Sequence, residues 1–192
     1  QQALMLDADN LSLRFGLLSA LIKTKQTDSA INLIESLLEK EPDNISLWLQ
    51  RANLAMNTDN TDMALASLET AIRLGDKESS NYLIATQLHL QAGNYARANS
   101  LINGPVKFNQ EQVTGLMPLL AQSAQWQLLD NLLKEYQPQL EQLTGIKKSR
   151  YHLYLAQLAK QNGDLAAQRK ALTQSLKADP TNGQALMTLA NI

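Results

Sequence analysis

Cysteine is absent from the chain. That excludes disulfides, thiolate metal sites and a cysteine nucleophile. Cysteine-free chains occur in cytoplasm and periplasm alike, so the localisation stays unknown between those two. Proline (5) and glycine (8) are scarce, and no long stretch is polar, Ser-rich and aperiodic, so neither a linker nor a low-complexity tail is expected. Aromatic residues make up 5% of the chain; Leu and Ala dominate the apolar positions, a mixture that favours helix over strand. No apolar run approaches the roughly 18 residues of a membrane span, and no signal-like segment opens the chain, so no direct membrane insertion is expected. The formal net charge of −1 lacks the basic excess of a nucleic-acid binder, and no nucleic-acid partner is expected.

What is present is uneven in charge and repetitive in pattern. Residues 1–78 carry seven Lys/Arg against twelve Asp/Glu, whereas residues 147–192 carry seven against two. Such a gradient can orient a partner or favour head-to-tail contacts, and it can equally be drift on solvated faces. The stretches "LEKEPDNISLW" (38–48) and "LKADPTNGQAL" (176–186) nearly repeat each other. Small residues recur 34 apart at Ala30, Ala64 and Ala98, and the turn pairs Lys25-Gln26, Asp59-Asn60 and Gly93-Asn94 follow the same step, with Gly163-Asp164 after two extra residues. A further column reads Leu18, Ala52, Thr86, Ala156, Ala190. Within each unit the apolar residues fall at helical spacing: Leu13, Leu17, Leu18, Leu21 and Ile22 line one helix, and Ala30, Ile31, Leu33, Ile34, Leu37 and Leu38 the next. The polar "KTKQTD" separates them, and Asp28 is placed to cap the second helix. Each unit is then a helical hairpin that buries its apolar face only by stacking on neighbours.

This pattern resembles the tetratricopeptide repeat (TPR) family. Residues 45–78 carry Trp48, Ala52, Ala64, Leu68 and Ala71 in the family's signature places, and residues 149–182 match through Ala156, Gly163-Asp164, Leu172 and Pro180. Gln168 departs, standing where the family has a small residue, and predicts a slight splay of the helices there. The resemblance covers about 1–103 and 149–192. It implies an all-α fold, a right-handed α-solenoid of stacked antiparallel helix pairs. Residues 1–192 read as a single domain: 1–10 ends a partial repeat, 11–44, 45–78 and 79–109 are repeats, 110–148 is an irregular repeat, 149–182 is a repeat, and 183–192 starts another partial one. In the irregular unit "NGPVKFN" reads as loop, Asn109 with Gln112 can form an N-cap, Pro118 should kink or break its helix near Met117, and Trp126 packs where the next helix begins. Because the chain starts and stops inside repeats, it reads as a piece of a longer protein. Its low charged fraction and many Gln/Asn residues suggest a bacterial source.

Catalytic signatures are missing. His89 and His152 lie too far apart in sequence for metal-ligand spacing and fall in packing columns, and there is no HExxH, GxSxG, GxGxxG or Walker loop. No catalytic residue, metal site or cofactor is expected, and the chain reads as no enzyme.

The resemblance implies that first helices of successive hairpins line a concave groove. Stepping by the repeat places Phe15, Leu49, Leu83 and Leu153 in one column, Ser19, Asn53, Gln87 and Gln157 in the next, then Met56 and Leu90, and finally Asn57, Gln91 and Gln161. Amides one helical turn apart on three helices, Asn53/Asn57, Gln87/Gln91 and Gln157/Gln161, both donate and accept, matching the N–H and C=O of an extended peptide. Ordinary solvation of a Gln/Asn-rich chain is the alternative. A family subgroup clamps chaperone C-terminal carboxylates; the corresponding places here hold Ser19, Asn53, Ser80 and Ile84, and only the Asn fits. Lys147, Lys148, Arg150 and Lys160 form a local basic patch that either receives an acidic partner or is a solvated helix edge. Pentatricopeptide RNA binding is disfavoured by the neutral charge. The expected function is therefore protein–protein interaction: a scaffold or adaptor holding a partner protein or extended peptide in its groove. The alternatives are a regulatory or substrate-recruiting segment of a larger enzyme, and a self-assembly module joining head-to-tail or end-to-end through apolar stripes such as Ala3/Leu4/Leu6 and Leu186/Leu189.

Overall fold

The computed structural model describes residues 11–192; the partial repeat at 1–10 and the Ala3/Leu4/Leu6 stripe lie outside the described residues. Among these, every regular element is helical: α1 Leu11–Lys23, α2 Thr27–Leu38, α3 Ile45–Asn57, α4 Thr61–Arg73, α5 Ser79–Gln91, α6 Tyr95–Ile102, α7 Gln110–Gln122, α8 Trp126–Glu135, α9 Gln137–Leu140, α10 Gly145–Gln161, α11 Leu165–Ala178 and α12 Gly183–Ala190. None is long and apolar enough to cross a membrane.

One turn design closes the hairpins. A residue at positive φ ends the first helix: Lys25 (57°), Asp59 (54°), Gly93 (75°), Ala124 (54°) and Gly163 (71°). The next residue's N–H then reaches back five residues. Gln26 donates to the Leu21 carbonyl, Asn60 to Ala55, Asn94 to His89, Gln125 to Leu120 and Asp164 to Ala159, all at 2.8–2.9 Å. This Schellman arrangement satisfies carbonyls that the helix end would otherwise leave orphaned. It also explains why Asp28 is not the cap of α2. Gln26 is committed to the turn, so the helix restarts at Thr27 and Asp28 falls in its first turn, where its charge meets the positive helix end. At α4 and α11 the turn residue also caps: Asn60 accepts from the Met63 N–H at 3.1 Å and Asp164 from Ala167 at 2.9 Å.

The chain divides into two compact units, residues 1–88 and 89–192. In the first, Leu18 and Leu21 of α1, Ala30, Ile34, Leu37 and Leu38 of α2, and Leu47 and Leu54 of α3 form one buried cluster. Each such Leu or Ile side chain taken from water contributes roughly 1.5–3 kcal/mol. Around it Arg51 of α3 ties three helices together, donating to Ser67 of α4 at 3.0 Å and to Glu35 of α2 at 3.1 Å. Its guanidinium lies 5.8 Å from the centre of the Trp48 ring, a cation–π contact.

The second unit contains the irregular segment. Residues 103–109 form a loop held at both sides: Val106 and Phe108 are buried, the Phe108 N–H donates to the Tyr136 hydroxyl at 3.1 Å, and Lys107 pairs with Glu135 at 2.6 Å. Asn109 and Gln112 make a reciprocal capping box that starts α7. Pro118 sits inside α7 without ending it. The helix continues to Gln122 because Val113, Leu116, Met117 and Leu120 are all buried on one face, and that packing outweighs one lost backbone bond. Trp126 opens α8 and is half-buried. At α10–α11 Gln168 is buried, and the two helices pack extensively on each other. A buried polar knot closes their far end. The Ser149 and Ser175 hydroxyls lie 2.8 Å apart, and Asn182, which caps α12, donates to Ser149 at 2.8 Å.

Candidate functional site

In the first unit the expected groove residues sort by depth. Ser19, Asn53 and Asn57 are exposed; Phe15, Leu49, Met56, Leu83 and Gln87 are half-buried, and Phe15 packs against the core cluster. Exposed amides on α3 thus alternate with partly sheltered apolar side chains. That surface can present donors, acceptors and shallow apolar contacts together.

In the second unit Gln91 and Gln161 are exposed and Gln157 is half-buried, its Oε1 enclosed without a hydrogen-bond partner. Leu90 (3%) and Leu153 (9%) are core residues rather than groove lining. A fixed step along the sequence assigns a helix face. How deep that face lies depends on what the neighbouring elements lay over it.

A cavity lies between α7 and α10, two helices that pack on each other. Glu111, Thr114, Gly115, Met117 and Pro118 form one wall, and Lys147, Arg150 and Tyr154 the other; its volume is about 520 Å³. A second recess of about 320 Å³ shares Glu111, Thr114 and Lys147 and extends to Asn109 and Leu143. Lys147, Arg150 and Tyr154 come together because residues three and seven apart share a helix face. Tyr154 is half-buried; burial raises the pKa of its hydroxyl, and the nearby Arg150 charge partly offsets this. Thr114 stands four residues before Pro118, and proline has no N–H to give the Thr114 carbonyl.

The expected basic patch is divided by the structure. Lys147 and Arg150 face this groove, Lys148 donates to the Glu141 carbonyl and lines a different recess, and Lys160 borders a third beside α12. Leu186 and Met187 of α12 are exposed, at 49% and 70%. Sequence reasoning missed Glu111, Thr114, Gly115 and Tyr154. The legible signal was the basic–basic–aromatic spacing of Lys147, Arg150 and Tyr154, joined to a proline-bearing helix.

His89 is buried at 7% in the same column as Leu21, Ala55 and Ala159, whose carbonyls close the turns. His152 lies against Tyr151, ring centres 5.1 Å apart; burial chiefly, then the Lys148 charge, lowers its pKa, and Glu141 acts in the opposite sense. Among the described residues no group of three or more His, Cys, Asp or Glu is placed to hold a metal.

No curated protein matches the chain. Among solved structures it is similar to YrrB, a TPR protein described as having an unusual peptide-binding site, at a TM-score of 0.70, with 14% identity and 97% of this chain and 95% of that one covered. It is similar also to MamA, at a TM-score of 0.63 with 14% identity, covering 90% and 93% of the two chains. A third likeness is to the C-terminal part of a TPR repeat-containing protein from Cytophaga hutchinsonii, at a TM-score of 0.60 with 18% identity, covering 90% and 70%. Tetratricopeptide-repeat sequence families match residues 1–54 and 41–190. With its hairpins, its recurrent turn and its sequence in agreement, the chain belongs to the tetratricopeptide repeat family.

Proposed function

We propose that this chain is a non-catalytic interaction scaffold that holds an extended segment of a partner protein against its inner helices. TPR folds serve protein and peptide partners, and the observation that carries the reading here is the exposed Asn53 and Asn57 of α3 set among the half-buried Leu49 and Met56. An extended peptide leaves backbone N–H and C=O groups at each residue, and carboxamides satisfy both kinds. Half-buried apolar side chains beside them offer contact area for every second peptide side chain. The fold shared with YrrB, a peptide-binding TPR protein, agrees with this use.

Selection of a random peptide library on the intact chain tests the reading. Peptides enriched on the wild type should bind an Asn53→Ala, Asn57→Ala, Gln87→Ala variant about tenfold or more weakly, since each lost hydrogen-bonding group contributes about 0.5–1.5 kcal/mol. Equal affinity for both proteins removes the amides from the binding surface.

A further inference from the structure

We propose that the groove between α7 and α10 is an acidic-peptide subsite, taking carboxylate side chains of an extended partner segment on Lys147 and Arg150. The inference rests on the scaffold reading above and names the chemistry of one stretch of the partner. Lys147 and Arg150 are both exposed and both line the same cavity, and among the described residues neither forms a salt bridge with a carboxylate. Two cations one helical turn apart on a concave wall attract an anion from outside the chain, and the guanidinium can bind a carboxylate through two parallel bonds.

Four further features fit a peptide better than a lone anion. The two adjoining recesses run along α7 from Asn109 to Pro118. At 1.5 Å per residue that is about 13 Å, room for roughly four residues of extended chain. Thr114 lines the groove, and Pro118 cannot give its carbonyl the usual helical donor. Gly115 keeps the wall low: a Cβ built there meets nothing within 4 Å. Tyr154, one helical turn beyond Arg150, lines the same cavity and adds aromatic surface beside the two cations. Glu111, on the opposite wall, opposes an acidic ligand, so the site carries two cations against one anion.

The probe is a fluorescein-labelled peptide, blocked at its C-terminus as an amide, with two Glu flanking one Leu; its counterpart carries Gln in place of Glu. Anisotropy titrations use the intact chain. The acidic peptide should bind at least about tenfold more tightly than the neutral one, and K147A/R150A should remove that advantage. Glu111→Gln should strengthen binding of the acidic peptide about two- to fivefold, and moderate salt should weaken it. Gly115→Leu should abolish binding of both peptides without lowering the melting temperature, since it fills open space. Equal affinity for the two peptides, or wild-type binding by K147A/R150A, overturns the assignment. So does displacement by inorganic phosphate at the same concentration as by peptide, which marks a simple anion site. Library peptides that lose affinity in the triple amide variant yet bind K147A/R150A normally overturn this subsite alone and leave the scaffold reading standing.

Discussion

In the hairpin α3–α4 the buried seam is built largely of alanine: Ala52, Ala55, Ala64 and Ala71 are each 1% exposed or less, with Leu68 beside them. In the hairpin α7–α8 the equivalent burial falls to Val113, Leu116, Leu120, Leu129 and Leu132, all fully enclosed. Small side chains let two helix backbones approach; large ones hold them apart and fill the gap, and interhelical distance follows the residues at the contact. The backbones of α3 and α4 accordingly meet far more intimately than those of α7 and α8. Both solutions make a stable hairpin. Only the second carries a proline inside its first helix, a non-glycine, non-polar residue (Ala124) at the left-handed turn, and a groove between its first helix and α10.

Exchanging the two seams should give the largest effects. Leu129→Ala should cost about 2–5 kcal/mol, because the wide seam cannot collapse onto the cavity. Ala71→Leu should cost about 1–3 kcal/mol by forcing close helices apart. Urea denaturation measures both; a Leu129→Ala protein within about 1 kcal/mol of wild type would show that the seams are not distinct. Pro118→Ala restores a backbone donor to the Thr114 carbonyl and should stabilise the protein by about 1–3 kcal/mol; an unchanged or lower midpoint would mean that the surrounding packing already compensates for the proline. The smallest contrast is at the turns. Asn60 caps α4 through its side chain, whereas Gln125 makes no such bond to α8. Asn60→Ala should therefore cost about 1 kcal/mol and Gln125→Ala close to nothing, read as the difference between two thermal melts.

The regular hairpins were legible because their signals are local and repeated. Ala30, Ala64 and Ala98 share a spacing, and all three are completely buried. Lys25, Asp59, Gly93 and Gly163 mark turns at the expected step, and each adopts positive φ. Ala124 does the same and was not legible, since alanine is no turn residue and the step is broken in that unit. The capping box of Asn109 and Gln112 was readable as a short motif; the persistence of α7 through Pro118 was not, because the buried apolar face that sustains it gains its value from neighbouring helices. The groove residues divide in the same way. Asn53, Asn57, Gln91 and Gln161 are exposed as their column implies, while Leu90 and Leu153 in parallel columns sink into the core.

By itself the sequence determined the helical class, the repeat, the family and the turn positions of the regular hairpins, since all of these follow from side-chain periodicity and backbone preferences a few residues long. Tertiary structure alone decided depth and company. It sent Lys147 and Arg150 into one groove with Thr114, Gly115 and Tyr154, turned Lys148 toward the Glu141 carbonyl, and placed Lys160 beside α12. The physical reason is that a helix shows its neighbours a whole face. Which residues on that face meet solvent, core or a facing helix is fixed by packing between segments distant in sequence, and no local pattern records it.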